Sequence, residues 1–285
     1  MPTNEQRRQA AKRKLQRQLA NRAARARRRR IFAVVGTVVL VLLAVAGIYW
    51  LASGNGSDAA AQQTQASSTT SAAPAETTGG PCKYATTPDQ PAAKPVEPPA
   101  DPDPTPKDGT VETTFKTDQG DIPVTLDRAK APCTVQSIVH LAEAKFYDGT
   151  PCHRIVHKDN FKVLQCGDPT GKGSGGPGYT IPDEKPTNLQ PAPAEAGGGG
   201  ASVYPRGTIA MAKTAQPNSG GSQFFMVYGS TFLPPEYTIF GTIAEPGLTV
   251  LDKIGAGGVD DSANPGSGDG APKLATKITE VTVAG

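Results

Sequence analysis

The chain reads as a mainly β protein, a closed antiparallel β-barrel preceded by a disordered tether and one transmembrane helix. Three observations predict this. From Val111 onward, short runs rich in Val, Ile, Thr, Phe and Tyr recur between glycine-containing turns, and only two stretches show helical spacing. Many short strands with few helices favour closure, which removes exposed sheet edges. Ahead of them lie a basic arm, an apolar run and a stretch of small and polar residues, none of which can supply a core.

The net charge of +3 over 285 residues averages over unlike zones. Residues 1–30 hold twelve Arg or Lys against the single acid Glu5, which leaves the remainder net negative by about eight. From Ile31 to Ala52 run 22 residues without a charge, enough at about 1.5 Å per residue to cross a hydrocarbon core of about 30 Å. Tyr49 and Trp50 stand at its far end, where amphipathic aromatics favour the membrane interface. A cleaved secretory signal is the competing reading, with Ala44-Val45-Ala46 as its cleavage site. Against it, the basic stretch is too long and the apolar run continues past that site. The positive-inside bias makes residues 1–30 a cytoplasmic arm and places everything after Ala52 outside, as a single-pass protein of the cell membrane. The arm has no interleaved aromatics and adjoins the span, so contact with anionic headgroups is favoured over nucleic-acid binding.

Residues 53–108 are dominated by Ser, Ala, Thr, Pro, Gly and Gln and bury too little apolar surface to offset their ordering entropy. They are expected to form an extracytoplasmic linker, coil-like at first and closer to polyproline later, leading to one domain at 109–285. All four cysteines follow the span, and an even count in an oxidising compartment points to up to two disulfides with three possible pairings. Cys152 and Cys166 flank a hairpin and can face each other across it, which pairs Cys82 with Cys133; the other two pairings stay open. Their spacing with His153 and His157 fits no closed zinc ligand set, so no metal is expected.

Within the domain, Val111 to Thr117 and Ile122 to Leu126 form an opening hairpin around Asp118-Gln119-Gly120-Asp121. After Pro132, Val135, Ile138, Val139 and Ala142 recur at helical spacing, giving a helix of about 14 residues that ends before Asp148-Gly149. Cys152 to Asp168 reads as two β-prone runs around His157-Lys158-Asp159-Asn160. Antiparallel pairing brings Arg154 near Gln165, with both side chains on one face. The glycine-rich run Pro169 to Tyr179 lacks a GK[ST] motif and a strand-to-helix context, so it is a wide rim loop and no phosphate cradle. Lys185 to Ser202 is a flexible insertion. Further strands are expected at Thr208 to Ala212, Gln223 to Tyr228, Thr238 to Ile243 and Lys277 to Val283, with a second helix at about Leu248 to Ile254.

A guanidinium beside a neutral amide suits a reaction that breaks no bond. Together with Tyr204-Pro205-Arg206-Gly207-Thr208-Ile209-Ala210-Met211-Ala212 and Gly221-Ser222-Gln223-Phe224-Phe225-Met226-Val227, the hairpin resembles the cyclophilins, the peptidyl-prolyl cis/trans isomerases, from about Val111 to Val283. The membrane-anchored actinobacterial type is the form it is most similar to. The resemblance implies an eight-stranded barrel capped by two helices, no cofactor, and proline-containing polypeptides as substrates. It also implies rotation about the bond before proline, here in extracytoplasmic chains whose folding is assisted. Arg154 matches the catalytic arginine and Gln165 the glutamine that binds backbone near the moving carbonyl, with Gln223 in support. Phe225, Val163, Leu233, Tyr237 and an aromatic before Val163 match the proline pocket, and Ala212 and Lys213 lie where backbone is presented to the peptide.

Three departures bear on that likeness. Counting back from Gln165 places Lys162, not Phe161, at the family's phenylalanine, so either Phe161 reaches the pocket through a bulge or the wall is altered. Val163 replaces a usual methionine. Phe232 stands where many members have tryptophan and Tyr237 where many have histidine. Phe232 lacks an indole donor, which implies weak cyclosporin binding; nanomolar affinity by calorimetry is the contrary result. Two blander readings compete: a peptide-binding module with little turnover, and an Arg154 that merely pairs with Asp168 or Glu184.

Overall fold

A computed structural model describes residues 76–194 and 200–284. The arm at 1–30, the expected span at 31–52 and the first part of the linker lie outside the described residues. Among the described residues no helix is long and apolar enough to cross a membrane.

Eight principal strands carry the fold: β1 (Thr110–Thr117), β2 (Gly120–Asp127), β3 (Arg154–Lys158), β4 (Phe161–Cys166), β5 (Thr208–Met211), β6 (Phe224–Val227), β7 (Ile239–Ile243) and β8 (Lys277–Val283). They line up antiparallel in the order β3-β4-β6-β5-β7-β2-β1-β8. Asp269–Pro272 and Val259–Asp260 extend the sheet beyond β3 and Thr150–Pro151 extends it beyond β8, making eleven strands. The sheet has to curl. Pro151 and Arg154 are three residues apart, a reach of at most about 11 Å, yet they belong to strands that a flat sheet would hold about 40 Å apart. The expected closed ring is therefore corrected in one respect: the ladder is a curled row in which the covalent chain at Cys152-His153 joins the Thr150–Pro151 end back to β3, and Cys152 donates its N–H to Thr276 O at 2.9 Å.

Alternation divides β3 to β7 between two apolar clusters, whereas β1, β2 and β8 contribute to the interior one alone. Ile155, Leu164, Ile209, Phe224, Met226 and Phe240 fill the inside of the curl with Phe115 and Tyr147. The Phe115 and Phe224 rings are 5.1 Å apart and the Tyr147 and Phe224 rings 5.8 Å. Val156, Val163, Ala210, Phe225 and Val227 form a second cluster on the outer face.

Helix α1 spans Pro132–Glu143, two residues shorter than expected; Pro132 opens it and residue 131 provides no side-chain cap. Glu184 supplies the missing acceptor, taking the N–H groups of Cys133 at 3.0 Å and Thr134 at 2.9 Å. Helix α2 spans Glu245–Ala256 and starts three residues before the sequence signal. Gly247 and Gly255 weaken its helical pattern, but they permit close approach to Ile122 and Tyr228 respectively.

The largest correction concerns the linker. Residues 76–108 belong to the folded unit. Cys82 is bonded to Cys133, and Tyr84 is fully buried with its hydroxyl donating to Cys133 O at 2.8 Å. Lys94 Nζ donates to Phe146 O and Asp148 O at 2.8 and 2.5 Å. Local composition misses this because the stabilising partners lie about 50 residues downstream. Replacing Cys82 and Cys133 by Ser is expected to lower stability by about 4 kcal/mol on the chain-entropy estimate for such a loop. Urea unfolding checks this, and an unshifted midpoint would count against it.

Candidate active site

The hairpin β3–β4 pairs without interruption, with Arg154 opposite Gln165, Val156 opposite Val163 and Lys158 opposite Phe161. Period two therefore places Phe161, Val163 and Gln165 on one face. Phe161 lines the pocket with no bulge, whereas Lys162 lies against Gly229. The count that favoured Lys162 is corrected by parity.

Arg154 sits at the lip of a pocket of about 140 Å³. Its Nε and Nη2 donate to the two carboxylate oxygens of Asp269 at 2.7 and 2.8 Å, and its Nη1 donates to Gln165 Oε1 at 3.1 Å. Neither Asp168 nor Glu184 is its partner. The hydrogen bonds to Asp269 hold the guanidinium still more firmly protonated, and those same bonds hold the Asp269 carboxyl below its ordinary range against the opposing effect of burial. The guanidinium carbon lies 5.9 Å from the Phe161 ring centroid. Sequence reasoning missed Asp269, which lies 115 residues away in a glycine- and serine-rich stretch without a local signal.

Gln165 continues the network. Its Nε2 donates to Gln223 Oε1 at 3.0 Å, and Gln223 Nε2 donates to Gly175 O at 3.0 Å. Gly175 belongs to the glycine-rich loop, which Asp168 organises from within: its buried carboxylate accepts from the N–H groups of Thr170 at 2.7 Å, Gly173 at 2.6 Å and Ser174 at 3.0 Å. Burial pushes the Asp168 carboxyl up, but the donors of Gly175, Thr170 and Gly173 outweigh it and hold the value low. A side chain on Gly175 would collide with that carboxylate.

Val163 and Phe225 form the floor of the pocket, and Leu233 and Tyr237 form a wall with Phe161. The Phe225 and Tyr237 rings meet edge to face at 5.5 Å. Ala212 and Lys213 close the remaining side; the Lys213 ammonium is buried against Asp183 at 2.6 Å, which leaves its stem and backbone to the groove. Two of the expected pocket residues stand elsewhere. Phe232 does not line the pocket, because alternation along Thr231–Leu233 turns Leu233 inward in its place. Gln223 borders an adjoining cavity and reaches the site through Gln165. Cys152 is bonded to Cys166, so all four cysteines are in disulfides and none is available as a thiolate ligand.

A positive fork and one amide, backed by a second amide behind it, face a small apolar pocket that offers a polar contact beside an apolar one. Residues 111–283 match the sequence model described as cyclophilin type peptidyl-prolyl cis-trans isomerase/CLD. A Mycobacterium leprae protein named probable peptidyl-prolyl cis-trans isomerase B is 42% identical over 301 residues, covering 99% of this chain and 98% of its own length. A Mycobacterium tuberculosis protein of the same name is 42% identical over 215 residues, and there the match spans 73% of this chain and 65% of the relative. A crystal structure of a Cryptosporidium parvum cyclophilin type isomerase aligns at 25% identity with a TM-score of 0.49, covering 62% of this chain and 99% of that one. The chain belongs to the cyclophilin-type peptidyl-prolyl cis-trans isomerase family.

Removing the Asp269 carboxylate frees the guanidinium to swing. Asp269→Ala is expected to lower kcat/KM on an X-Pro peptide by about 10- to 100-fold, the range of one charge-assisted hydrogen-bonded contact. Because the Asp269 pKa is depressed by folding, the pair is intact above the free-carboxylate value. It is lost as pH falls through the lower value in the fold. Wild-type activity should stay level from neutrality down to about pH 4 and fall only below it; a decline centred near neutrality in a pH–rate profile would contradict this.

Proposed function

We propose that this protein is a membrane-tethered isomerase that speeds rotation of X-Pro bonds in polypeptides outside the cell membrane, assisting the folding of exported chains. The observation that carries the catalytic reading is the Arg154 guanidinium, clamped by Asp269 and Gln165 at the edge of the Phe225 pocket. Amide resonance sets a barrier of about 18–20 kcal/mol, so the enzyme's task is to bind the twisted amide better than the planar one. An acceleration of about 10⁵ corresponds to roughly 7 kcal/mol of that preference.

The proline ring enters the Phe225, Leu233 and Tyr237 pocket and stays there while the preceding carbonyl swings past Gln165. Three of the five N–H groups of Arg154 are taken by Asp269 and Gln165. The two that remain, one on each Nη, can donate to the prolyl nitrogen as it becomes pyramidal, an interaction that exists only in the twisted state. Lysine offers neither the fork nor the permanent charge. Phe232 has no indole donor, and the chain's single tryptophan is Trp50; weak cyclosporin binding belongs to the same reading.

Two measurements test it. By exchange NMR on a short X-Pro peptide, Arg154→Ala is expected to lose about 10²-fold in rate, the scale of one preorganised donor. If wild type and variant turn over equally slowly yet both bind peptide, the domain is a binding module. The 22 uncharged residues from Ile31 to Ala52 and the two disulfides support the membrane topology. Protease added to intact cells should then cleave the C-terminal domain and leave the arm protected; full protection would remove the extracytoplasmic assignment.

A further inference from the structure

Next to the small pocket lies a larger cavity of about 680 Å³, and the two share Gln165, Ala212 and Lys213. A polypeptide seated in one crosses that saddle into the other. One wall of the larger cavity does not come from the family-matched segment: Thr87, Gln90, Pro91 and Ala93 belong to the N-terminal extension, upstream of residue 111. This wall is held in place. Ala85–Thr86 pair with Tyr179–Thr180, Thr87 N–H donates to Gly178 O at 2.9 Å, and Ala93 N–H donates to Gly176 O at 2.9 Å. A turn between them is closed by Gln90 N–H to Thr87 O at 2.8 Å. The Cys82–Cys133 bridge anchors the segment on one side and Lys94 on the other.

The charge of the cavity narrows what it admits. Lys213 is the one ionic side chain among its lining residues, and Asp183 already neutralises it. The rest is glycine, proline, alanine, hydroxyls and amides, so an ionised side chain would lose hydration without finding a counter-ion. Length and a neutral polar end are accommodated.

We propose that the Thr87–Ala93 segment is a specificity determinant of this chain, selecting a long uncharged side chain two residues before the proline. This rests on the reading of the Phe225 pocket as the proline site. With the prolyl nitrogen at Arg154 and the preceding carbonyl at Gln165, the upstream chain leaves over the shared saddle. In extended backbone the residue two before proline projects to the same side as the proline ring.

The test uses the full chain and two peptides of the form Xaa-Ala-Pro-Phe, with Xaa either Gln or Gly, and reads the ratio of their kcat/KM values by exchange NMR. Wild type should prefer Gln. Ala93→Phe, which fills the cavity from the extension side, should lower that ratio about tenfold, the scale of discrimination set by one group in a pocket. Gln90→Ala should lower it in the same direction. Ratios unchanged in both variants, including equal loss on both peptides, overturn the proposal. If wild type turns over neither peptide, the isomerase reading itself fails, and this inference fails with it.

Discussion

A half-buried positive charge needs a partner that holds it without cancelling its reach, and the groove depends on that balance. Asp269 grips Arg154 through Nε and Nη2, the edge of the guanidinium away from Gln165, and leaves donors on the other side available. An exposed arginine would spend its contacts on water and on many rotamers; the bidentate carboxylate fixes one plane for the fork. Gln165 then takes its orientation from the charge on one side and from Gln223 on the other. The relay ends in the backbone of the glycine-rich loop, whose shape is set by the buried Asp168 carboxylate. Disturbing that loop reaches the arginine through three successive hydrogen bonds.

The same strands serve core and groove because their side chains alternate. In β6, Phe224 and Met226 complete the interior while Phe225 and Val227 face the outer cluster. In β4, Cys166 turns inward to bond Cys152 as its neighbour Gln165 turns outward to meet Arg154. A slip of one residue in this register would bury the amide and expose the sulfur, so packing of the core enforces the geometry of the site. The bridge ties Cys166, next to Gln165 in β4, to Cys152, two residues before Arg154.

Much of this was legible in the chain. The hairpin from Cys152 to Asp168 has turn residues between two β-prone runs, which brings Arg154 near Gln165; the register that sets them opposite each other comes from the tight turn at Asp159-Asn160. Parity settles Phe161 over Lys162 as well, since 161, 163 and 165 share a face, a constraint that counting back from Gln165 along the family's spacing leaves out. Phe232 was misplaced for a related reason, because the loop after Gly229 contains a short strand whose pairing with Val203 turns that ring away from the pocket. Helix α2 was cut short because glycine and proline lower helical propensity locally, although Gly247 and Gly255 are there to let the helix sit against Ile122 and Tyr228.

By itself the sequence determined the principal strands, the hairpin that carries Arg154 and Gln165 and the apolar identity of the pocket, because each depends on local pattern; the turn is tighter than the expected His157 to Asn160, since His157 and Lys158 belong to β3 and only Asp159 and Asn160 lie between the strands. Tertiary structure alone decided that Asp269 would clamp Arg154 across 115 residues and that the tail of the supposed linker would become a wall of the groove. Those contacts depend on the path by which a curled sheet returns the chain to itself, and that path is a property of the whole packing.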